Sequence, residues 1–468
     1  MSERIRSREP WLGSEVSTPA EIFYNLSMSY AAAIDSLFAL AGELHSAPGQ
    51  PRRKFDLDQM RVLAAALGDP QKKFPAVLLA GTNGKGSTSA TLASILQTAG
   101  YRVGLYTSPH LVRVNERIRI NGEDISDNDF ALLYFQVDDT ARRLVDEGKL
   151  PAPPSFFEMV TALAFTAFAA INVDIAVLEV GMGGRLDATN IVEPLVSVIT
   201  DISLDHTEWL GPTITDISRE KAGILRRNGV MITLPQHPEA NHALGEAATG
   251  LDVRGVNAAE YIPSRATELK GERNHYAVQA LGKLIEVDSP LTGQHQQRNI
   301  ALAIAAAVEL SNNRGYKITP IVIETGIRNT RWSGRMERCT SKNGAQVLLD
   351  VGHNPAGAWA LRSVLAGMED RQPRTLLFGC LRDKAIEEMA QILFPLFDHV
   401  LLTPVDSPRS ASVDELISAA RATGAAFEAM PDAFAAFARA QELTSTAGLI
   451  VGTGSVYLVG RLRVELAP

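Results

Sequence analysis

Apolar residues recur along this chain in two alternating rhythms. Short unbroken runs at Val77–Ala80, Ile175–Val180, Leu195–Thr200 and Val230–Thr233 have the length of strands buried on both faces. Thr88–Ala99, Phe130–Glu147 and Phe157–Ala170 instead carry apolar positions at helical spacing. A second series starts near residue 345. Strands are expected there at Val347–Leu349, Thr375–Phe378, Val400–Leu402 and Leu449–Val451, with helices at Ala358–Leu365 and Ala385–Leu393. This alternation predicts an α/β fold: a mostly parallel sheet covered by helices on both faces, then a smaller nucleotide-fold-like domain. The boundary is placed in Arg328–Arg335, giving domains 1–330 and 331–468. Arg117–Ile125 departs from the parallel scheme, because Asn121-Gly122 signals a hairpin. Residues 1–75 read as helical, with the first 20 disordered and a loop at Ser46–Pro51.

The most informative stretch follows the first of these strands: Gly81-Thr82-Asn83-Gly84-Lys85-Gly86-Ser87-Thr88. Strand, glycine-rich turn and helix together make a phosphate site. Glycines let backbone N–H groups close around phosphate oxygens, and the helix N-terminus adds a favourable dipole. Lys85 would neutralise the outer phosphates, and Ser87 or Thr88 would reach a bound Mg²⁺. The loop is a shorter variant of the common phosphate loop, with Leu79 where the first glycine usually stands and Gly86 after the lysine. A tight glycine turn is the alternative.

Composition narrows the class. A chain of 468 residues, 46% hydrophobic and 21% charged, is ordinary for a soluble enzyme of two or three domains. The net charge of −8 argues against nucleic acid as a partner. The two cysteines, Cys339 and Cys380, offer no zinc cluster, and a reducing cytoplasm is the expected setting. The polar start Met1–Trp11 is no signal peptide. Met159–Val173 is broken by Asn172 and Asp174, so a buried helix followed by a strand is expected rather than a membrane span.

Two further strand ends carry candidate chemistry. Glu179 opens Val180-Gly181-Met182-Gly183-Gly184-Arg185-Leu186-Asp187-Ala188-Thr189-Asn190, where open α/β sheets bind ligands, and its carboxylate suits Mg²⁺. The alternative is a loop held by turn bonds from Asp187 and Asn190. Asp201-Ile202-Ser203-Leu204-Asp205-His206-Thr207 brings a histidine that either binds metal or caps the following turn.

Taken with Thr107-Ser108-Pro109-His110-Leu111, Arg219-Glu220-Lys221-Ala222-Gly223-Ile224 and Asp350-Val351-Gly352-His353-Asn354-Pro355, these motifs closely resemble folylpolyglutamate synthases and dihydrofolate synthases of the Mur ligase superfamily. The resemblance spans roughly residues 55 to 460, with the motifs in order. It implies a Mur-type ATP-binding domain and a C-terminal glutamate-ligase domain of Rossmann-like form. It also implies an ATP-dependent carboxylate–amine ligase: a pterin-containing acid is phosphorylated by ATP, and L-glutamate displaces the phosphate. Dihydropteroate, reduced folates or both would be substrates, with dual activity preferred. ATP and Mg²⁺ at two sites are the implied cofactors, without flavin, haem or zinc. A cytoplasmic monomer is expected.

The resemblance also assigns roles. Thr82, Asn83, Gly84, Lys85, Gly86 and Ser87 match the ATP phosphate loop, and Asn299, Arg335 and Asp350 match further ATP contacts. Ser87, Ser108, Glu179 and His206 match positions near the metals, and Lys221 matches a lysine carbamylated in the superfamily. Lys85, His206 and Lys221 are the expected catalytic groups. Asp56, Phe156, Phe157, Leu186, Asp187 and Ala188 match the pterin acid's surroundings; two adjacent phenylalanines opening an apolar helix are also ordinary core. His353, Arg409 and Ser410 suit the glutamate carboxylates, with a loop cap and a surface turn as alternatives.

Two departures from the family pattern stand out. Gly352 takes the place of an alanine, and Trp-Ser-Gly precedes Arg335 where Pro-Gly is usual. A peptidoglycan-type ligase is disfavoured because only about 80 residues precede the phosphate loop. An ATP-gated switch without ligation would need neither Lys221 nor a second domain bearing Asp350 and His353.

Overall fold

The computed structural model describes residues 29–41, 56–264, 273–368 and 371–466. The expected disorder in 1–20 and the loop Ser46–Pro51 lie outside these residues. The first sheet has eight strands: β1 (Ala76–Ala80), β2 (Val103–Tyr106), β3 (Ile118–Ile120), β4 (Glu123–Asp124), β5 (Ile175–Glu179), β6 (Pro194–Ile199), β7 (Val230–Thr233) and β8 (Arg254–Asn257). Their order is β4-β3-β2-β5-β1-β6-β7-β8. All pairings are parallel except β2 with β3 and β3 with β4. The expected hairpin is present: Asn121 and Gly122 both have positive φ, which a two-residue primed turn requires.

Strand side chains alternate between two cores. Ala76, Leu78 and Ala80 face one core with the helices Asp127–Asp146 and Phe156–Ile171. Val77 and Leu79 face the other, with the helices Lys85–Thr98 and Gln294–Asn313. Burial on both faces explains the continuous apolar runs. Phe165 and Phe168 are fully buried, each contributing about 2–3 kcal/mol of apolar transfer. Gly104 in β2 makes room for Phe168: a β-carbon there would stand 2.7 Å from its ring. The helix Phe156–Ile171 begins with a capping box, Ser155 with Glu158, and ends on Asn172 in the left-handed region. That local chemistry stops the long apolar stretch well short of a membrane span. Among the described residues no helix is long and apolar enough to cross a membrane.

A two-stranded ribbon, β9 (Asn274–Ala280) and β10 (Lys283–Ser289), packs beside the second core; the sequence reading did not include it. The polar β8 was missed as well, because Arg254-Gly255-Val256-Asn257 lacks an apolar run.

The second sheet contains β11 (Glu337–Thr340), β12 (Gln346–Leu349), β13 (Arg374–Phe378), β14 (His399–Leu402), β15 (Phe427–Ala429) and β16 (Leu449–Thr453), in the order β11-β12-β16-β13-β14-β15. Only β11 pairs antiparallel. Helices cover both faces, among them Pro355–Leu365 and Ile386–Leu393 on one side and Ala433–Leu443 and Val456–Leu466 on the other. The last helix of the first sheet's series ends at Asn329, and β11 of the second begins at Glu337.

Candidate active site

The C-terminal ends of both sets of strands open onto one cavity of about 1190 Å³. From the first sheet come Gly181–Ala188 after β5 and Leu204–Leu210 after β6. From the second come Val351 and His353–Pro355 after β12, Leu381–Ala385 after β13 and Gly454–Tyr457 after β16. This is where α/β sheets place ligands, here twice over.

The phosphate loop borders this cavity without lining it. The amides of Thr82 and Asn83 both donate to the Asp201 carbonyl, at 2.9 and 3.1 Å. Gly84 adopts φ 88° as the cap of the helix Lys85–Thr98, so the helix starts three residues earlier than its apolar pattern suggests. Asn299 rests directly on the loop: a β-carbon on Gly84 would lie 2.1 Å from its Oδ1. A β-carbon on Gly86 would lie 2.9 Å from the ring of Trp332, in the segment joining the two sheets. Lys85 Nζ donates to the carbonyls of Gly81 (3.0 Å) and Thr82 (3.3 Å). Lys221 Nζ donates to the same Gly81 carbonyl from the other side, at 2.9 Å. The hydroxyls of Ser87, Thr88 and Ser89 are buried without a hydrogen-bond partner in the structure. Such groups are costly unless a ligand or water engages them.

Electrostatics mark the same spot. Burial pushes the Glu179 carboxyl up to about 7, against the pull of Lys85 and Arg335; it accepts a long hydrogen bond from the Ser108 amide, at 3.4 Å. Burial, reinforced by the charge of Lys85, pulls Lys221 down to about 7. Burial also lowers Arg335, against the attraction of Asp350 and Glu179. His206 falls to about 4 because burial outweighs the attraction of Asp205, with Lys384, His353 and Lys85 acting in the same direction as burial. Among the described residues no three His, Cys, Asp or Glu side chains group closely enough to form a metal cage. The orphaned Ser87 hydroxyl and the nearly unpartnered Glu179 carboxylate instead suit a hard cation that draws its remaining oxygens from phosphate and water.

The two phenylalanines part company. Phe157 lines the cavity, with Gly181 so close that a β-carbon there would be 2.5 Å from its ring. Phe156 turns away, stacking on Phe38 at 5.8 Å beneath the guanidinium of Arg117. Asp56 lines the cavity too, while its carboxylate caps the helix Leu57–Ala66 through the Asp58 amide. Leu186 and Ala188 also line it. Asp187 lines it but spends both oxygens on its own loop, accepting from the amides of Gly181, Met182 and Thr189. Asn190 ties the same loop to Arg185 and Gly223, so the turn-bond alternative describes both side chains.

In the second domain, His353 lines the cavity, with Nδ1 3.0 Å from the Val351 carbonyl. Asp350 accepts from the amides of Met336 and Gly352, which fixes the chain on either side of β11 and β12. Arg409 lines the cavity but pairs with Asp383 at 2.7 Å. Ser410 is not brought to the cavity; its hydroxyl accepts from the Val405 amide and closes the loop. Sequence reasoning missed Asn354, whose amide donates to Asn83 of the phosphate loop at 3.0 Å. It also missed Lys384, for which a lone lysine in Arg-Asp-Lys gave no signal.

Two family models match: the Mur ligase middle domain over residues 140–307 and the Mur ligase glutamate ligase domain over 334–456. A dihydrofolate synthase/folylpolyglutamate synthase of Bacillus subtilis is 34% identical over 414 residues, 88% of this chain and 94% of that protein. The chain belongs to the folylpolyglutamate synthase/dihydrofolate synthase family. Membership makes it an ATP-dependent carboxylate–amine ligase. Solved structures of the family agree in fold. A Mycobacterium tuberculosis folylpolyglutamate synthase complexed with ADP has a TM-score of 0.83 at 31% identity, covering 94% of this chain and 99% of that one. An Escherichia coli family member in complex with DHPP and ADP has a TM-score of 0.77 at 29% identity, covering 92% and 97%.

Proposed function

We propose that this ligase joins L-glutamate to folate-type acids, taking both dihydropteroate and reduced folates as acceptors. One observation carries the reading. The apolar wall at Phe157 and Leu186 belongs to the same cavity as Ser108, His206 and Arg335; Ser108 bonds Glu179, and Lys85 of the phosphate loop acts electrostatically on both Glu179 and His206. A flat pterin held on Phe157 would therefore extend its carboxylate toward Lys85.

In the first step a carboxylate oxygen of the acid attacks the γ-phosphorus of ATP. The new O–P bond forms as the bond to ADP breaks, giving an acyl phosphate. In the second, the glutamate amine attacks the acyl carbon, and the tetrahedral adduct expels phosphate. Lys85 would turn from the loop carbonyls, and Arg335 from the carbonyl of its neighbour Gly334, to the transferring phosphoryl group, where fixed positive charge is most effective. Ser87, Ser108, Glu179 and His206 would hold Mg²⁺ at two sites, supplying Lewis-acid stabilisation of phosphate charge. A lysine pulled down to about 7 is partly neutral near physiological pH, the form that reacts with CO₂. Lys221 would thereby become a carbamate and exchange its contact with Gly81 for an anionic role. Asn299 and Asp350 would contact the nucleotide, and His353 and Arg409 the incoming glutamate.

The reading assigns residues 1–330 to ATP and pterin binding and 331–468 to glutamate ligation, in a cytoplasmic monomer. Both cysteines are unpaired in the structure, which suits a reducing compartment. Phosphate release from ATP tests the proposal, with dihydropteroate and tetrahydrofolate supplied separately and products identified by mass. Release should require L-glutamate together with either acceptor, each product gaining one glutamyl unit. Release from ATP alone, indifferent to both, would end the reading; turnover of a single acceptor would end its bifunctional part.

A further inference from the structure

Asp205, on the loop after β6, is a point where both domains meet. Its Oδ1 accepts from Lys384 Nζ of the second domain at 2.7 Å. Its Oδ2 lies 3.4 Å from His353 Nε2, also of the second domain, and 3.9 Å from Nε2 of its own neighbour His206. The pair is nearly dry, with side-chain exposures of 6% for Lys384 and 9% for Asp205. Behind it Asp383, 3.9 Å from Lys384, is held by Arg409. Surface ion pairs contribute little, but a buried one fixes its partners, because breaking it strands a charge away from water.

We propose that Lys384 is a positioning residue: through Asp205 it docks the loop after β13 onto the loop after β6 and so sets His206 of the first domain and His353 of the second around one carboxylate oxygen at the cavity wall. The Lys384 ammonium is hydrogen-bonded to Asp205 and lies 3.9 Å from Asp383. Its ammonium is committed to Asp205, so its effect on turnover passes through the placement of the two histidines. The pair also holds the domains together before any ligand binds, alongside the Asn83–Asn354 contact. The kinetic consequence rests on the ligase reading above; the compactness does not.

The test combines small-angle scattering of the ligand-free chain with steady-state kinetics. Lys384→Met strands the Asp205 charge, whereas Lys384→Met with Asp205→Asn leaves a neutral pair of similar size. The double variant should melt near the wild-type temperature, yet show a larger radius of gyration. Its kcat should fall on the order of 10- to 100-fold, the scale of a small misplacement of reacting groups. Lys384→Arg should recover most of both. A wild-type radius and kcat in the double variant would overturn the proposal. So would an expanded radius with unchanged kcat, which reduces the pair to a structural contact. A rise in glutamate KM alone, with radius and kcat unchanged, would make Lys384 a direct substrate ligand and overturn the positioning role. If wild-type phosphate release proves independent of glutamate, the ligase reading fails, while the scattering result stands by itself.

Discussion

At the phosphate loop, three consecutive buried hydroxyls, Ser87 to Ser89, stand without partners, and two lysines crowd one carbonyl. Across the cavity, Asp350 is capped by two amides, His353 faces Asp205, Arg409 holds Asp383 and Ser410 closes a turn. The first region keeps buried polar groups that its own chain does not satisfy. The second has its groups already paired, His353 with Asp205 of the first domain, and must exchange partners to hold a substrate. Ligand binding should therefore relieve unpaired groups on one side and break existing pairs on the other, so substitutions should have unequal effects on the two sides.

The sharpest way to break this contrast is at Lys85. On the proposed mechanism Lys85→Ala should lower kcat about 10³-fold, because it removes a fixed positive charge from the transferring phosphoryl group; single-turnover phosphate transfer is the readout. Next comes Lys221→Ala, expected to lose most activity and to recover part of it with added acetate or formate. Wild-type rates without rescue would remove the carbamate role.

The Phe pair tests the contrast between site and core. Phe157→Ala should raise the dihydropteroate KM roughly tenfold with a modest loss of stability. Phe156→Ala should instead cost about 3 kcal/mol of stability in a urea titration, because it empties a packed position under Arg117. Similar results for both would erase the distinction between the two side chains. The smallest effect is expected at Ser410. Ser410→Ala should change glutamate KM by less than about threefold, since the hydroxyl serves its own loop. A tenfold rise would show that the second domain also presents unspent groups.

The same contrast explains what the sequence disclosed. The phosphate loop is legible because its shape is backbone conformation, and Gly81 and Gly84, both at positive φ, encode that locally. The eight buried strands expected from continuous apolar runs are all present, because burial on both faces writes itself into each strand. Lys384 and Asn354 were silent: their meaning lies in partners 179 and 271 residues away, and no local pattern records such distances. The polar β8 was silent for a related reason, since its pairing with β7, not its composition, makes it a strand. Phe156 and Phe157 fall between these cases. The helix they open was legible, but which ring faces the cavity depends on where Phe38 and Gly181 arrive.

Gly86 follows the lysine of the phosphate loop and appears at first to serve phosphate alone. Its immediate neighbour, however, is the indole of Trp332, in the connection between the two sheets. A methyl group there would be a wedge driven into the hinge, prising the connection from the loop before any nucleotide arrived. The missing side chain is thus clearance in a joint, where the phosphate loop and the connection between the sheets meet on a bearing surface one residue wide.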